Sequence, residues 1–239
     1  MILGNLCTRG CGFCSVPKGN PAKQDMRLDP DEPENVARMA AAMQLKYVVI
    51  TSVNRDDLRD GGSAHFAETV RQVRHALPDA RVEVLTPDFC GDLQAAARVL
   101  DAAPHVFNHN IETVPRLYAR VRPQADYQQS LDVLDFARRY RPNVLTKSGL
   151  MAGLGETESE VYAVLRDLRH AGTAVATVGQ YLRPTRRNLP VAAYIEPAQF
   201  DRYRDYGLSI GFQMVFSGPL VRSSYMADKV SEEARRSVS

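Results

Sequence analysis

Three cysteines stand close together near the start of the chain, Cys7, Cys11 and Cys14, in the spacing C-x3-C-x2-C. Three thiolates on one short loop suit an iron–sulfur cluster but leave its ligand set incomplete. A four-iron cluster normally takes four cysteine sulfurs, so one iron would be free to bind something else. An open iron points to catalysis more than to electron storage. The competing readings are a zinc loop or a disulfide. Zinc sites usually draw ligands from two separated pairs, and no second Cys or His pair stands nearby, which favours the cluster. The fourth cysteine, Cys90, is expected to be an inert, partly buried thiol.

A loop of this kind needs a scaffold, and the rest of the chain has the length for one. Its 239 residues exceed a small metal-stapled module and match a single α/β barrel domain. With 44% hydrophobic and 24% charged residues and a formal net charge of +2, nothing demands a nucleic acid or a membrane surface as partner. No signal peptide or membrane-length apolar run is visible. Clustered free thiols argue for a reducing compartment, so the expected location is cytoplasmic.

Strand-like runs alternate with helical patterns along the whole sequence. The strands drawn from it are Met1–Leu6, Tyr47–Thr51, Arg81–Thr86, His105–Asn108, Val144–Lys147, Ala174–Gly179 and Phe212–Phe216. Between them Val36, Met39, Ala40 and Met43 recur at helical spacing, as do Phe66, Val70, Val73 and Leu77, and then Val161, Leu165 and Leu168. Asp31 with Glu34 and Thr157 with Glu160 read as capping boxes. The fold class that follows is α/β, a partial TIM-type (β/α) barrel of about six parallel βα units spanning residues 1–230, with a disordered polar tail at 231–239.

In such a barrel the chemistry lies just beyond the carboxyl ends of the strands. Polar residues gather there: Ser52, Asn54, Asp56 and Asp57 after the second strand, Asn110, Glu112, Arg120 and Arg122 after the fourth, and Lys147 at the end of the fifth. Each alone is open to a structural explanation as a cap, a turn or a solvated ion pair. Their shared position on one rim favours binding.

The cysteine spacing resembles the signature of radical S-adenosylmethionine enzymes. There the open iron chelates the amino and carboxylate groups of the cofactor, whose reductive cleavage gives a 5′-deoxyadenosyl radical. The segments MILGNLCTRGCGFCSV, YVVITSVNRDDLRDGG, VEVLTPDF, FNHNIETVPRLYARVRP, TKSGLMAGLGET, VGQYLRPT and SGPLVRSSY, in this order, resemble the lipoyl synthase family across nearly the whole chain. The resemblance implies sulfur insertion at carbons six and eight of an octanoyl group on a lysine of a lipoyl carrier domain. It implies two four-iron clusters, one generating the radical and an auxiliary one consumed as sulfur donor.

On that resemblance Cys7, Cys11 and Cys14 ligate the radical cluster, and S-adenosylmethionine contacts come from Ser52, Asn54, Asn110, Glu112, Arg122 and Lys147. Ser224, in Arg222-Ser223-Ser224-Tyr225, ligates the auxiliary cluster. Leu150, Met151 and Leu154 are candidates for lining the octanoyl tunnel, and Arg183, Arg186 and Arg187 for docking an acidic carrier domain, an E2 subunit or the glycine cleavage H protein. The electron donor would be a flavodoxin or ferredoxin.

Departures stand beside the matches. Asn54 replaces a usual Asp, Asn188 a usual His, and Met226 follows the RSSY motif where a basic or His residue is common. The family's auxiliary-cluster motif, C-x4-C-x5-C, does not occur, and only six residues precede Cys7. The expectation is that the chain is a piece lacking an upstream segment, because Ser224 has little purpose without that cluster; the other reading is a paralogue limited to the radical step. Two further alternatives are a radical methyltransferase or isomerase, and a non-catalytic iron–sulfur module. The first loses ground if the RSSY end faces the cysteine loop across the barrel mouth.

Overall fold

The computed structural model describes residues 1–224, so the tail expected at 231–239, Tyr225 and Met226 lie outside the described residues. The chain alternates strands and helices in the order α1 (Glu32–Ala42), β1 (Tyr47–Thr51), α2 (Ser63–Ala76), β2 (Arg81–Leu85), α3 (Leu93–Asp101), β3 (Val106–Asn108), α4 (Tyr118–Val121), α5 (Tyr127–Tyr140), β4 (Leu145–Ala152), α6 (Glu158–His170), β5 (Val175–Gln180), α7 (Pro197–Ser209) and β6 (Met214–Gly218). The strands form one six-stranded sheet in sequential order β1 to β6. All neighbouring pairs are parallel, from Tyr47 opposite Arg81 to Gly179 opposite Gly218. The first and last strands do not pair, so the barrel is partial and open.

Alternation along the strands sorts side chains to two faces. Val82 and Val84 of β2 and Phe107 of β3 pack outward with Phe66, Val70 and Val73 of α2, all 0% exposed. Ala176 and Val178 of β5 pack outward against Val161, Leu165 and Leu168 of α6. The other face lines the barrel interior. Its floor is apolar, with Val106, Val175 and Met214 buried together. The next layer is polar: Lys147 Nζ lies 2.9 Å from Glu83 Oε1, and both side chains are 0% exposed. The Tyr47 hydroxyl donates to Glu83 Oε2 at 2.7 Å and Asn108 Nδ2 to Glu83 Oε1 at 3.2 Å. Gly149, Thr177 and Gly179 then open this face into the mouth cavity.

Two expectations at the amino-terminal end change. Met1–Leu6 is not a strand: Ile2 forms a single parallel bridge to Ser52, and positive φ at Leu3 (70°) and Gly4 (88°) then turns the chain away. Asp31 caps α1 without a side-chain hydrogen bond. Instead Glu32 Oε2 accepts from the Leu3 amide and from His65 Nε2, each at 2.8 Å, which ties the amino terminus to α1 and α2. The Thr157–Glu160 capping box is formed as expected.

Candidate functional site

The cysteine loop sits at the carboxyl ends of the strands and is anchored from two sides. On the β1 side, Thr8 bonds Asn54 O through its amide and its hydroxyl, each at 3.0 Å. Arg9 is fully enclosed. Its guanidinium donates to Asp56 at 2.7 and 3.0 Å and to Asp88 at 2.7 and 2.6 Å, a double fork that clamps the loop to the segments after β1 and β2. Burial pushes the Asp88 carboxyl up, but the hydrogen bonds from Arg9 prevail and hold it at about 2. Asp57 is likewise structural, paired with buried Arg55 at 2.8 Å.

On the far side, the segment after β5 straps the loop down. Asn188 Nδ2 donates to Cys14 O at 2.8 Å and toward Gly12 O at 3.4 Å, and the Leu189 amide donates to Gly12 O at 2.9 Å. Thr185 Oγ1 orients Asn188 by donating to its Oδ1 at 2.7 Å. The fit is close: a Cβ on Gly12 would lie 2.8 Å from the Leu189 side chain, so a larger residue there would push the strap aside. Nothing in sequence spacing connects Asn188 to residues so distant along the chain. Asn188→Ala should leave the fold intact but loosen the Cys14 end of the loop. A chelator should then strip iron several-fold faster than from the parent, whereas Asn188→His should retain near-parental iron, with circular dichroism unchanged in both.

Cys7, Cys11 and Cys14 line one cavity of about 330 Å³ together with Ser52, Asn54, Asn110, Glu112 and Arg122. Five of the six side chains expected to bind a cofactor therefore meet at the thiols. The sixth, Lys147, does not. Strand β4 continues past it to Ala152, so Lys147 lies within the barrel bound to Glu83 instead of on the rim. A second cavity of about 260 Å³ shares Phe13, Asn110 and Glu112 with the first and extends to Leu150, Met151, Tyr181, Arg222 and Ser223. Phe13 of the cysteine loop and Ser223 of the RSSY motif thus line one space across the barrel mouth. Leu154 stays in the core and does not line it, and Ser224 is exposed beside Ser223. Gly179 gives the carboxyl-terminal segment its approach, since any side chain there would collide with Val221 O.

The donor set fits a thiophilic cluster. Cys7 Sγ accepts from the Asn54 amide and Cys14 Sγ from the Val16 amide, each at 3.4 Å, the kind of bond that supports cluster sulfurs. Burial pushes the Cys11 thiol up to about 11 and raises Cys14 as well, so thiolates here require the compensating charge that iron brings. Among the described residues, no three His, Cys, Asp or Glu side chains are gathered as for a single metal ion. The cavity also fits a polar ligand: Ser52 Oγ, Asn110 Oδ1, Arg122 Nε and His109 Nε2 are buried without a hydrogen-bond partner among the described residues. Glu112 holds φ at 65°, a strained conformation for a non-glycine residue. Its backbone bridges to β4, with the Glu112 amide donating to Gly149 O and the Met151 amide to Glu112 O, both at 2.9 Å. Burial raises the Glu112 carboxyl, while Arg122 and Asn110 Nδ2 oppose the shift.

Cys90 departs from expectation. It is exposed, and its sulfur lies 3.3 Å from Asp56 Oδ1 and 3.4 Å from Arg9 Nη2 at the edge of the Arg9 clamp. Arg183, Arg186 and Arg187 are all exposed on the strap that carries Asn188. No helix among the described residues is long and apolar enough to cross a membrane.

Comparisons with known proteins agree with this geometry. Residues 1–168 match the model of the radical SAM superfamily. Two enzymes of known structure, the second titled a radical SAM enzyme, share the fold at low identity. Methylornithine synthase aligns with a TM-score of 0.61 at 15% identity over 99% of this chain and 79% of its own. Coproporphyrinogen III oxidase from Escherichia coli aligns at 0.65 and 14% identity over 87% of this chain and 51% of its own. The chain belongs to the radical SAM superfamily, whose model it matches over most of its length.

Its sequence is 56% identical to the lipoyl synthase of Rubrobacter xylanophilus and 55% identical to that of Thermus thermophilus. These alignments cover 99% and 98% of this chain and, in both cases, 72% of the relative. The chain belongs to the lipoyl synthase family, sulfurtransferases that convert a protein-bound octanoyl-lysine to lipoyl-lysine by inserting sulfur at C6 and C8. The family implies a four-iron cluster, S-adenosylmethionine, a lipoyl-carrier substrate and a reductant.

Proposed function

We propose that Cys7, Cys11 and Cys14 ligate the radical-generating cluster and that Ser52, Asn54, Asn110, Glu112 and Arg122 bind S-adenosylmethionine. The observation that carries this reading is the single cavity that all eight residues line. When bound, cluster and cofactor together supply a 5′-deoxyadenosyl radical able to take hydrogen from an unactivated carbon. The chain's own part is to bind and exclude. Arg122 brings a buried positive charge to the site, its Nη1 held by Asn110 O at 3.0 Å and Ile111 O at 3.1 Å. Glu112 and Asn110 offer acceptors for ammonium or hydroxyl groups. Met151 and Leu150 supply apolar wall in the second cavity, suited to an octanoyl chain.

Ser224, at the end of the described residues, is the proposed oxygen ligand of the auxiliary cluster, whose cysteines would come from a C-x4-C-x5-C segment. The exposed Arg183, Arg186 and Arg187 offer docking charge to an acidic lipoyl carrier domain, such as an E2 subunit or the glycine cleavage H protein. A flavodoxin or ferredoxin would supply electrons, and the reaction would take place in the cytoplasm. Facing of the RSSY end and the cysteine loop favours this reading over a radical methyltransferase or isomerase.

Anaerobic reconstitution of residues 1–239 tests the ligand assignment. The expected content is about four irons per chain, since the chain carries a three-cysteine set for one cluster only. The reduced cluster's electron paramagnetic resonance signal should change when S-adenosylmethionine is added. A reproducible content near eight irons, or a signal indifferent to the cofactor, would contradict it.

A further inference from the structure

His109 is a buried group at this site that the sequence did not single out. It follows β3, is 2% exposed and lines the cavity that holds the three thiols. One ring nitrogen is committed: Nδ1 lies 2.9 Å from Thr86 O, a carbonyl that can only accept, so Nδ1 carries the proton. That tautomer leaves Nε2 with a lone pair, and Nε2 has no partner among the described residues. Burial, reinforced by the Arg122 charge, holds the imidazole down at about 4, with Asp88 and the Thr86 carbonyl opposing and Arg9 adding to the depression. The ring is therefore neutral at ordinary pH and presents an acceptor.

An enclosed acceptor without a donor is costly unless something that enters the cavity satisfies it. The apolar octanoyl chain has no donor to offer. S-adenosylmethionine has several, in its ammonium, its ribose hydroxyls and its adenine amine. Resting on the reading that this cavity binds that cofactor, we propose that His109 is a cofactor-binding residue whose Nε2 accepts a hydrogen bond from an N–H or O–H group of S-adenosylmethionine.

Two isosteric variants separate this role from a structural one. The amide nitrogen of His109→Asn stands where Nδ1 stood and keeps the bond to Thr86 O, but offers nothing at the Nε2 position. His109→Gln gives up the Thr86 bond and can place its amide oxygen near Nε2. Titration calorimetry of the cluster-containing protein with S-adenosylmethionine should show binding weakened about tenfold in H109N and within about threefold of the parent in H109Q, as expected for losing one buried hydrogen bond. The reverse order, or equal affinity in the parent and H109N, would overturn the proposal. A parent that does not bind S-adenosylmethionine at all would instead overturn the cavity's assignment, and this inference with it. Titrating methionine and 5′-deoxyadenosine separately locates the donor: weakening confined to methionine assigns the ammonium, and weakening confined to 5′-deoxyadenosine assigns a hydroxyl or the adenine amine. Weakening of neither product contradicts the proposed bond.

Discussion

Replacing Cys11 with Ala is expected to abolish both the brown four-iron absorbance and the reductive cleavage of S-adenosylmethionine. Two remaining thiolates cannot hold a cluster that already lacks a fourth protein ligand. Burial also pushes the Cys11 thiol up to about 11, with the Arg122 charge opposing. The surrounding clamp should survive, because Arg9 with Asp56 and Asp88, and Asn188 with the Cys14 carbonyl, do not use the Cys11 side chain. Circular dichroism should thus match the parent while 5′-deoxyadenosine, followed by liquid chromatography under dithionite, falls to background. Retained cleavage in this variant would remove Cys11 from the ligand set.

The second large effect is on stability. Lys147→Met should destabilise the chain by about 3–5 kcal/mol, because among the described residues it leaves the Glu83 carboxylate buried with only Tyr47 and Asn108 as partners. Neither Lys147 nor Glu83 is exposed, so water cannot take over the lost charge. For a chain of this size, that loss lowers the unfolding midpoint by about 10 °C. The double variant with Glu83→Leu should recover most of the loss, since an apolar pair of similar volume removes the unpaired charge. Thermal unfolding of the three proteins decides the point. A Lys147→Met midpoint within a degree or two of the parent would mean that the pair contributes little.

Lys147 also shows where the sequence was readable and where it was not. The expected strand Val144–Lys147 begins within a residue of the observed β4, but glycine and methionine after Lys147 gave no signal that the strand continues to Ala152. A residue expected at the rim is consequently interior. The other central strands and the amphipathic helices were legible because alternating β and α segments each bury one apolar face, as Phe66, Val70 and Val73 do in α2. Met1–Leu6 misled because apolar composition does not report the positive φ at Leu3.

The thiol loop was legible from spacing alone, and Ser52, Asn54, Asn110, Glu112 and Arg122 from their place after strands and their family motifs. What sequence could not give were contacts made at long range. Asn188 reaches the cysteine loop only because the segment after β5 folds back over the barrel mouth, and the committed Nδ1 of His109 depends on the carbonyl of Thr86 in another loop. Cys90 was expected to be partly buried because free cysteines usually are. It sits instead on a turn with φ of 53°, which leaves it exposed beside Asp56.

The proposed reading divides the labour: residues 1–239 would generate the radical at the three thiols, and sulfur insertion would further require the auxiliary-cluster cysteines. Mass spectrometry of the carrier lysine, with 5′-deoxyadenosine measured in the same single-turnover incubation, tests both halves. With S-adenosylmethionine, dithionite and an octanoylated lipoyl domain, the chain should yield 5′-deoxyadenosine and leave the octanoyl mass unchanged. Fusing a segment that bears C-x4-C-x5-C upstream of Met1 should add two sulfurs. Lipoyl-lysine formed without that segment, or no 5′-deoxyadenosine from protein carrying about four irons, would contradict this division.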